Sequence, residues 1–191
     1  MRIRLDVEPS AMLLAAAGLL ILPFDWLLSG ILAAAVHEMG HLAALAYFGI
    51  RISELKIRAG GAVITTGYLP PIQEIISAAA GPLFSFLLVF LWRWFPAVAL
   101  FGFVQGMFNL IPIYPLDGGR ILGCLLALLL PDLADLILKI IGILSKCFVI
   151  SFLLLMDMPG WAIMIALFGV NRHLSEKYLA KRRRNDYNGS D

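Results

Sequence analysis

Inside a long apolar stretch, the chain carries two histidines and a glutamate within five residues, His37-Glu38-Met39-Gly40-His41. Positions i and i+4 of an α-helix lie on one face and one turn apart, so both imidazoles can bind a single Zn²⁺. Glu38 follows the first imidazole, where its carboxylate can act as the general base towards a water molecule. The alternative is that the three side chains only form hydrogen bonds with neighbouring helices. The pattern favours a catalytic zinc site, because packing alone does not require a glutamate between two histidines at membrane depth.

A catalytic zinc usually has three protein ligands, so the third must come from elsewhere in the chain. The remaining histidine, His173, lies at the start of a basic tail and is expected at the membrane interface. Asp117 lies in the middle of a long apolar segment, whereas the other carboxylates near apolar segments lie at predicted helix ends. By elimination, Asp117 is the predicted third ligand. A second interpretation makes Asp117 the N-cap of a helix over residues 118–130, since Asp favours that position.

The segments that must position these residues are strongly apolar. Of the 191 residues, 61% are hydrophobic and 15% are charged, against about 45–50% and about 25% in soluble domains. These values exclude a soluble domain and a nucleic-acid-binding protein, and they predict an all-α polytopic membrane protein. The predicted apolar spans are residues 10–24, with Val7–Pro9 as a possible extension, and residues 26–48, 72–95, 97–130, 133–156 and 160–178.

The fourth predicted span is too long for one helix, and proline, glycine and polar residues interrupt it between Asn109 and Gly119. Irregular backbone at membrane depth is tolerated where it is buried in protein or lines a wet cavity, so the interruption should face a site. Counted as one crossing, it gives about six transmembrane helices. Basic residues near both ends then place both termini in the cytoplasm. We expect one intramembrane domain over residues 1–191, with residues 172–191 as a basic cytoplasmic tail.

Between the second and third spans, residues 49–71 favour a short β-hairpin. The segment is rich in β-branched residues around a Gly60-Gly61 turn signal, and Pro70-Pro71 should end it and start the next helix. If a strand of this hairpin lies beside the site, an extended substrate can pair with its exposed edge. The alternative is an ordinary solvated loop.

Two motifs together resemble the site-2 protease family of intramembrane zinc metalloproteases. They are the histidine motif and residues 109–120, Asn-Leu-Ile-Pro-Ile-Tyr-Pro-Leu-Asp-Gly-Gly-Arg. Within the family, the chain resembles the bacterial subgroup of stage IV sporulation protein FB. Ala80-Gly81-Pro82 is similar to the Gly-Pro element of the family. Many relatives have Asn shortly after that element, whereas this chain has Ser85.

The resemblance implies a six-helix core in which the two histidines and Asp117 bind zinc and Glu38 activates water. It also implies that residues of the interrupted span position the substrate backbone or the developing oxyanion. These residues are Asn109, Pro112, Pro115 and Gly118. For Asn109, the residue type supports two roles equally, because its amide can donate either to an oxyanion or to a neighbouring helix.

The sequence therefore predicts an intramembrane endopeptidase that requires Zn²⁺ and cleaves transmembrane or membrane-tethered proteins. The sporulation resemblance implies a sigma-factor precursor or an anti-sigma factor as substrate, a possible regulatory membrane protein as partner, and no nucleic acid. One alternative is a membrane metal-binding or transport protein that uses the same ligands without hydrolysis. Another is an inactive relative, which the intact ligands and base argue against.

Overall fold

The computed structural model of the chain describes residues 4–58, 61–67 and 69–155. Two compact units divide the chain, one up to Ile111 and one from Pro112 onward. The predicted span 160–178, His173 and the basic tail 172–191 lie outside the described residues.

Four α-helices make up most of the first unit, and three of them begin with proline. They are α1 (Pro9–Ile21), α2 (Phe24–Tyr47), α3 (Pro71–Leu87), which continues as a 3₁₀ turn over Leu88–Leu91, and α4 (Pro96–Asn109). Proline suits the first helical position, because its fixed φ matches the helix and its missing N–H is not needed there. The start of α3 at Pro71 confirms the helix start predicted after the hairpin.

The core of this unit lies where α2, α3 and α4 pack against one another. Its buried residues are small, and among the described side chains the largest fully buried ones are Pro82, Ser77 and Ser85. Large apolar side chains face outward instead, as Leu20 and Phe90 do. Small residues inside and large apolar residues outside are typical of helices that pack in lipid. Among the described residues, α2 and the stretch Pro71–Leu91 are long and apolar enough to cross a membrane.

Glycines bring these helices into close contact. A Cβ atom added to Gly40 of α2 would collide with the backbone carbonyl of Ala80 on α3. A Cβ atom on Gly102 of α4 would lie 2.8 Å from the carbonyl oxygen of Ser85 on α3. Both contacts require a residue without a side chain, so the backbones of α2 and α4 lie directly against α3.

A three-stranded sheet accompanies the helices, with the strand order β1-β2-β3. Strands β2 (Ile52–Arg58) and β3 (Gly61–Thr66) are antiparallel, and their register pairs Arg58 with Gly61. This pairing confirms the predicted hairpin. Strand β1 (Arg4–Val7) pairs with β2 in parallel and was not predicted. The possible extension of the first helix over Val7 is wrong, since that residue belongs to the strand and the helix begins at Pro9.

The second unit contains α5 (Asp117–Leu129) and α6 (Ala134–Leu155), which contact each other. The end of α4 at Asn109 and the start of α5 confirm the predicted interruption of the fourth span. At the start of α5, a Cβ atom on Gly119 would collide with the backbone of Ile113 and Tyr114. This glycine lets the irregular segment fold back onto the first turn of α5.

Candidate metal centre

The two motif histidines are buried and point their ring nitrogens at each other. His37 is 3% exposed and His41 is 7% exposed, and their Nε2 atoms lie 3.2 Å apart. Two nitrogens bound to one tetrahedral zinc at about 2.0–2.1 Å lie about 3.3 Å apart. The separation of the two Nε2 atoms therefore matches a shared zinc ion.

Helix α3 supplies a hydrogen-bond partner for the other nitrogen of each ring. His41 Nδ1 donates to the carbonyl oxygen of Ser77 over 2.7 Å, which leaves a lone pair on Nε2 of the neutral ring. His37 Nδ1 lies 2.9 Å from the hydroxyl oxygen of Ser85. Metal-binding histidines usually donate their second N–H to a carbonyl or another oxygen, which fixes both tautomer and ring orientation.

Gly81 of α3 lets this helix lie directly against the two rings. A Cβ atom at this position would collide with Nε2 and Cε1 of His41 and would lie 2.9 Å from Nε2 of His37. The missing side chain thus leaves a gap beside both Nε2 atoms, which the rings need in order to keep their positions. The two histidines fit a bound zinc ion by donor type and spacing.

Glu38 is half-buried, and its carboxylate reaches the hairpin. Its Oε1 lies 3.5 Å from the position of a Cβ atom on Gly61, the first residue of β3. Gly61 has a φ of 110°, which a residue with a side chain rarely adopts. The base predicted from the motif therefore lies beside the start of β3, an edge strand of the sheet.

In the second unit, Asp117 is buried and held by Arg120. It is 5% exposed, and Nη1 of Arg120 donates to its Oδ1 over 3.3 Å. Asp117 is the first residue of α5, where the helix dipole stabilises a negative charge. The N-cap is Leu116, so the interpretation of Asp117 as N-cap is wrong. Its carboxylate can offer an oxygen atom to a metal ion, and its role as the third ligand stays a prediction.

The predicted substrate-binding residues have varied surroundings. Asn109 Nδ2 donates to the carbonyl oxygen of Gln105 over 3.1 Å, one turn back in its own helix, and not to a neighbouring helix. Pro112 and Pro115 are exposed, and Gly118 is buried at the start of α5. Their role in substrate binding stays a prediction.

Two residues of the site were not predicted. Ser85 had no assigned role in the sequence, and Gly81 was noted only as part of a Gly-Pro element. Their position on α3, one and two turns beyond Ser77, was visible in the sequence. What brings them to the histidines is the packing of α2 on α3, which no local pattern reveals.

The sequence is similar to two curated proteins, although no family model matches it. It is 31% identical over an alignment of 106 residues to a zinc metalloprotease of Methanocaldococcus jannaschii, and the match covers 48% of this chain and 31% of that protein. It is 33% identical over an alignment of 144 residues to stage IV sporulation protein FB of Bacillus subtilis, and the match covers 68% of this chain and 50% of that protein.

The fold is similar to a solved structure, the site-2 protease from Methanocaldococcus jannaschii. The TM-score is 0.66 at 23% sequence identity, and the match covers 91% of this chain and 93% of that one. The chain therefore has the fold of the solved site-2 protease. Its sequence is similar to parts of a zinc metalloprotease and of a sporulation protein. The matches span half or less of the length of the curated relatives.

Proposed function

We propose that this chain is an intramembrane zinc metalloendopeptidase of the site-2 protease type. His37, His41 and Asp117 bind the zinc ion, and Glu38 is the general base. The observation that carries the proposal is the pair of Nε2 atoms 3.2 Å apart, facing the gap at Gly81. Two buried rings whose Nδ1 atoms already have oxygen partners are arranged to bind a cation.

Zinc supplies a Lewis acid that lowers the pKa of water and polarises the carbonyl to be cleaved. Glu38 accepts the proton that the attacking water loses and delivers it to the nitrogen of the leaving amine. The C–N bond breaks as the new C–O bond completes the carboxylate product. Arg120 orients Asp117 through the bond to its Oδ1.

The substrate is a transmembrane or membrane-tethered protein that is locally extended at the cleavage point. A helical substrate hides its carbonyl groups in internal hydrogen bonds and must unwind before attack. Strand β3 is at an edge of the sheet, and its first residue lies beside Glu38. Pairing with this edge holds the unwound backbone next to the base. The substrate contacts of the interrupted segment come from Asn109, Pro112, Pro115 and Gly118.

The membrane arrangement follows from the same proposal. The chain is a single multi-pass domain of six crossings in the bacterial cytoplasmic membrane, and both termini lie in the cytoplasm. The two long apolar helices and the outward-facing large side chains support this arrangement. The relationship to a sporulation protein supports a membrane-tethered sigma-factor precursor, or an anti-sigma factor, as substrate. A membrane protein that regulates cleavage is an expected partner.

The Glu38→Gln variant tests the proposed reaction. The amide cannot accept the proton, so cleavage of a membrane-tethered substrate by the protein purified in detergent should fall by about 10²–10⁴-fold. Zinc content should stay at the wild-type level, because Glu38 is not a ligand. Glu74→Gln, on the first turn of α3, is the matched control and should cleave normally.

Two results would contradict the proposal. Full cleavage by Glu38→Gln would show that another group is the base. Stoichiometric zinc in the wild-type protein, together with no cleavage of any membrane-tethered protein offered, would favour the metal-binding or transport alternative.

A further inference from the structure

The two motif histidines have different kinds of support on α3. His41 is held by a backbone carbonyl, that of Ser77, whereas His37 is held by a side chain, the hydroxyl of Ser85. A backbone carbonyl persists through any substitution of its own side chain, but the hydroxyl does not. The hydrogen bond to His37 Nδ1 therefore depends on the identity of residue 85.

The surroundings of Ser85 make this hydroxyl hard to replace. The residue is 0% exposed, and its own backbone carbonyl lies against Gly102 of α4. Helices close on it from both sides, so there is little room for a water molecule to take over a lost bond. A buried ring nitrogen that loses its hydrogen-bond partner, with no water to replace it, destabilises the folded protein by its desolvation penalty.

We infer that Ser85 is a positioning residue for His37, an inference that rests on the proposed zinc site. Its hydroxyl oxygen accepts the Nδ1 hydrogen of His37 when zinc is bound. This bond keeps the hydrogen on Nδ1, leaves the Nε2 lone pair for the ion, and fixes the ring towards the gap at Gly81. Partners of this kind contribute about 10–100-fold to metal affinity in other proteins.

The test measures zinc affinity of the full chain, purified in detergent, by competition with a chelator. Ser85→Ala should bind zinc about 10–100-fold more weakly than wild type. Ser77→Ala is the matched comparison, because it removes an equally buried hydroxyl from the same helix but keeps the carbonyl that binds His41. The loss of zinc affinity in Ser77→Ala should be clearly smaller than in Ser85→Ala. Ser29→Ala, which removes a hydroxyl bonded within α2, should bind as wild type does.

Ser85→Cys separates hydrogen bonding from packing. The thiol fills the space that Ser85→Ala would leave empty, and it is larger than the hydroxyl but a weaker acceptor, so zinc affinity should stay low as in Ser85→Ala. Nitrogen NMR of the labelled His37 ring gives a second readout. In the zinc-loaded wild-type protein the hydrogen should be on Nδ1, and the chemical shift of Nδ1 should show its hydrogen bond. This chemical shift should change in Ser85→Ala.

Each outcome decides a different question. Wild-type affinity in Ser85→Ala, or recovery in Ser85→Cys, would overturn the role of this hydroxyl while leaving the zinc site intact. Equal losses in Ser85→Ala and Ser77→Ala would assign the effect to packing and would also overturn it. Failure of the wild-type protein itself to bind zinc would refute the proposed function.

Discussion

Replacing Gly81 with alanine should abolish zinc binding without unfolding the protein. The added methyl group would collide with Nε2 and Cε1 of the His41 ring and would lie 2.9 Å from His37 Nε2. Ordinary contacts of a Cβ atom begin at 3.4 Å. The methyl group would therefore push the His41 ring out of the position in which it can bind zinc.

The size of the effect follows from these distances. To restore ordinary contact, the His41 ring must move by on the order of 1 Å, whereas metal–ligand distances tolerate about 0.2 Å. We expect zinc affinity to fall by more than about 100-fold, beyond the range for loss of a hydrogen-bond partner. Stability should change less, because alanine gains about 1 kcal/mol in helix propensity and overpacking costs about 1–3 kcal/mol.

The assay is zinc content after dialysis and thermal unfolding of the same detergent-purified samples. Gly142→Ala on α6 is the matched control, because nothing lies within 4 Å of its added methyl group. This control should keep its zinc and unfold at the wild-type temperature or slightly above it. Full zinc content in Gly81→Ala would refute the claim that zinc binding requires the present position of the His41 ring.

Two further predictions test the third ligand and the path of the substrate. Asp117→Asn keeps the side-chain volume but removes the charge, so zinc affinity should fall by at least about 100-fold. Arg120→Gln should lose less zinc affinity, because Arg120 acts on the site through Asp117, to whose Oδ1 it donates over 3.3 Å. Unchanged zinc affinity in Asp117→Asn, measured by chelator competition, would exclude it as a ligand. For the substrate, replacing single peptide bonds with esters removes one N–H at a time, and cleavage rates should alternate with a period of two residues along a segment that pairs with β3. Equal rates at all positions would exclude strand pairing.

The sequence alone predicted most of the helices, the hairpin and the side chains that could bind a metal ion. The apolar spans predicted the helices closely, because residues such as Pro71 and Pro96 mark where a helix begins. Asp117 was conspicuous because a charge in an apolar segment needs a function or a partner. Strand β1 was missed, although Arg4–Val7 alternates charged and apolar residues, a pattern typical of a half-buried strand. Its partner β2 lies about fifty positions later, and that pairing is not visible in the local sequence.

The partners of the histidines escaped prediction for a similar reason. Ser77 acts through its backbone, which is the same in every residue, and Ser85 is an ordinary small residue in a helix. The pairing follows from the antiparallel packing of α2 and α3. The earlier histidine, His37, bonds to the later serine, Ser85, and His41 bonds to Ser77. Once α2 is known to pack on α3, the positions to search are fixed.

The contact between α2 and α3 serves both helix packing and the proposed metal binding. On α2, Gly40 lies between the two ligand histidines in sequence and brings the backbone at Ala80 close, and the next residue of α3 is Gly81, which opens the gap beside the rings. In lipid, helices associate through close contact of small residues, because there is no water to drive large apolar side chains together. The same contact that holds α2 on α3 therefore delivers oxygen partners to both imidazoles. A larger residue at position 40 should push the helices apart and weaken the bonds to Ser77 and Ser85 together, so stability and zinc affinity should both fall. Gly81→Ala should instead lower zinc affinity much more than stability.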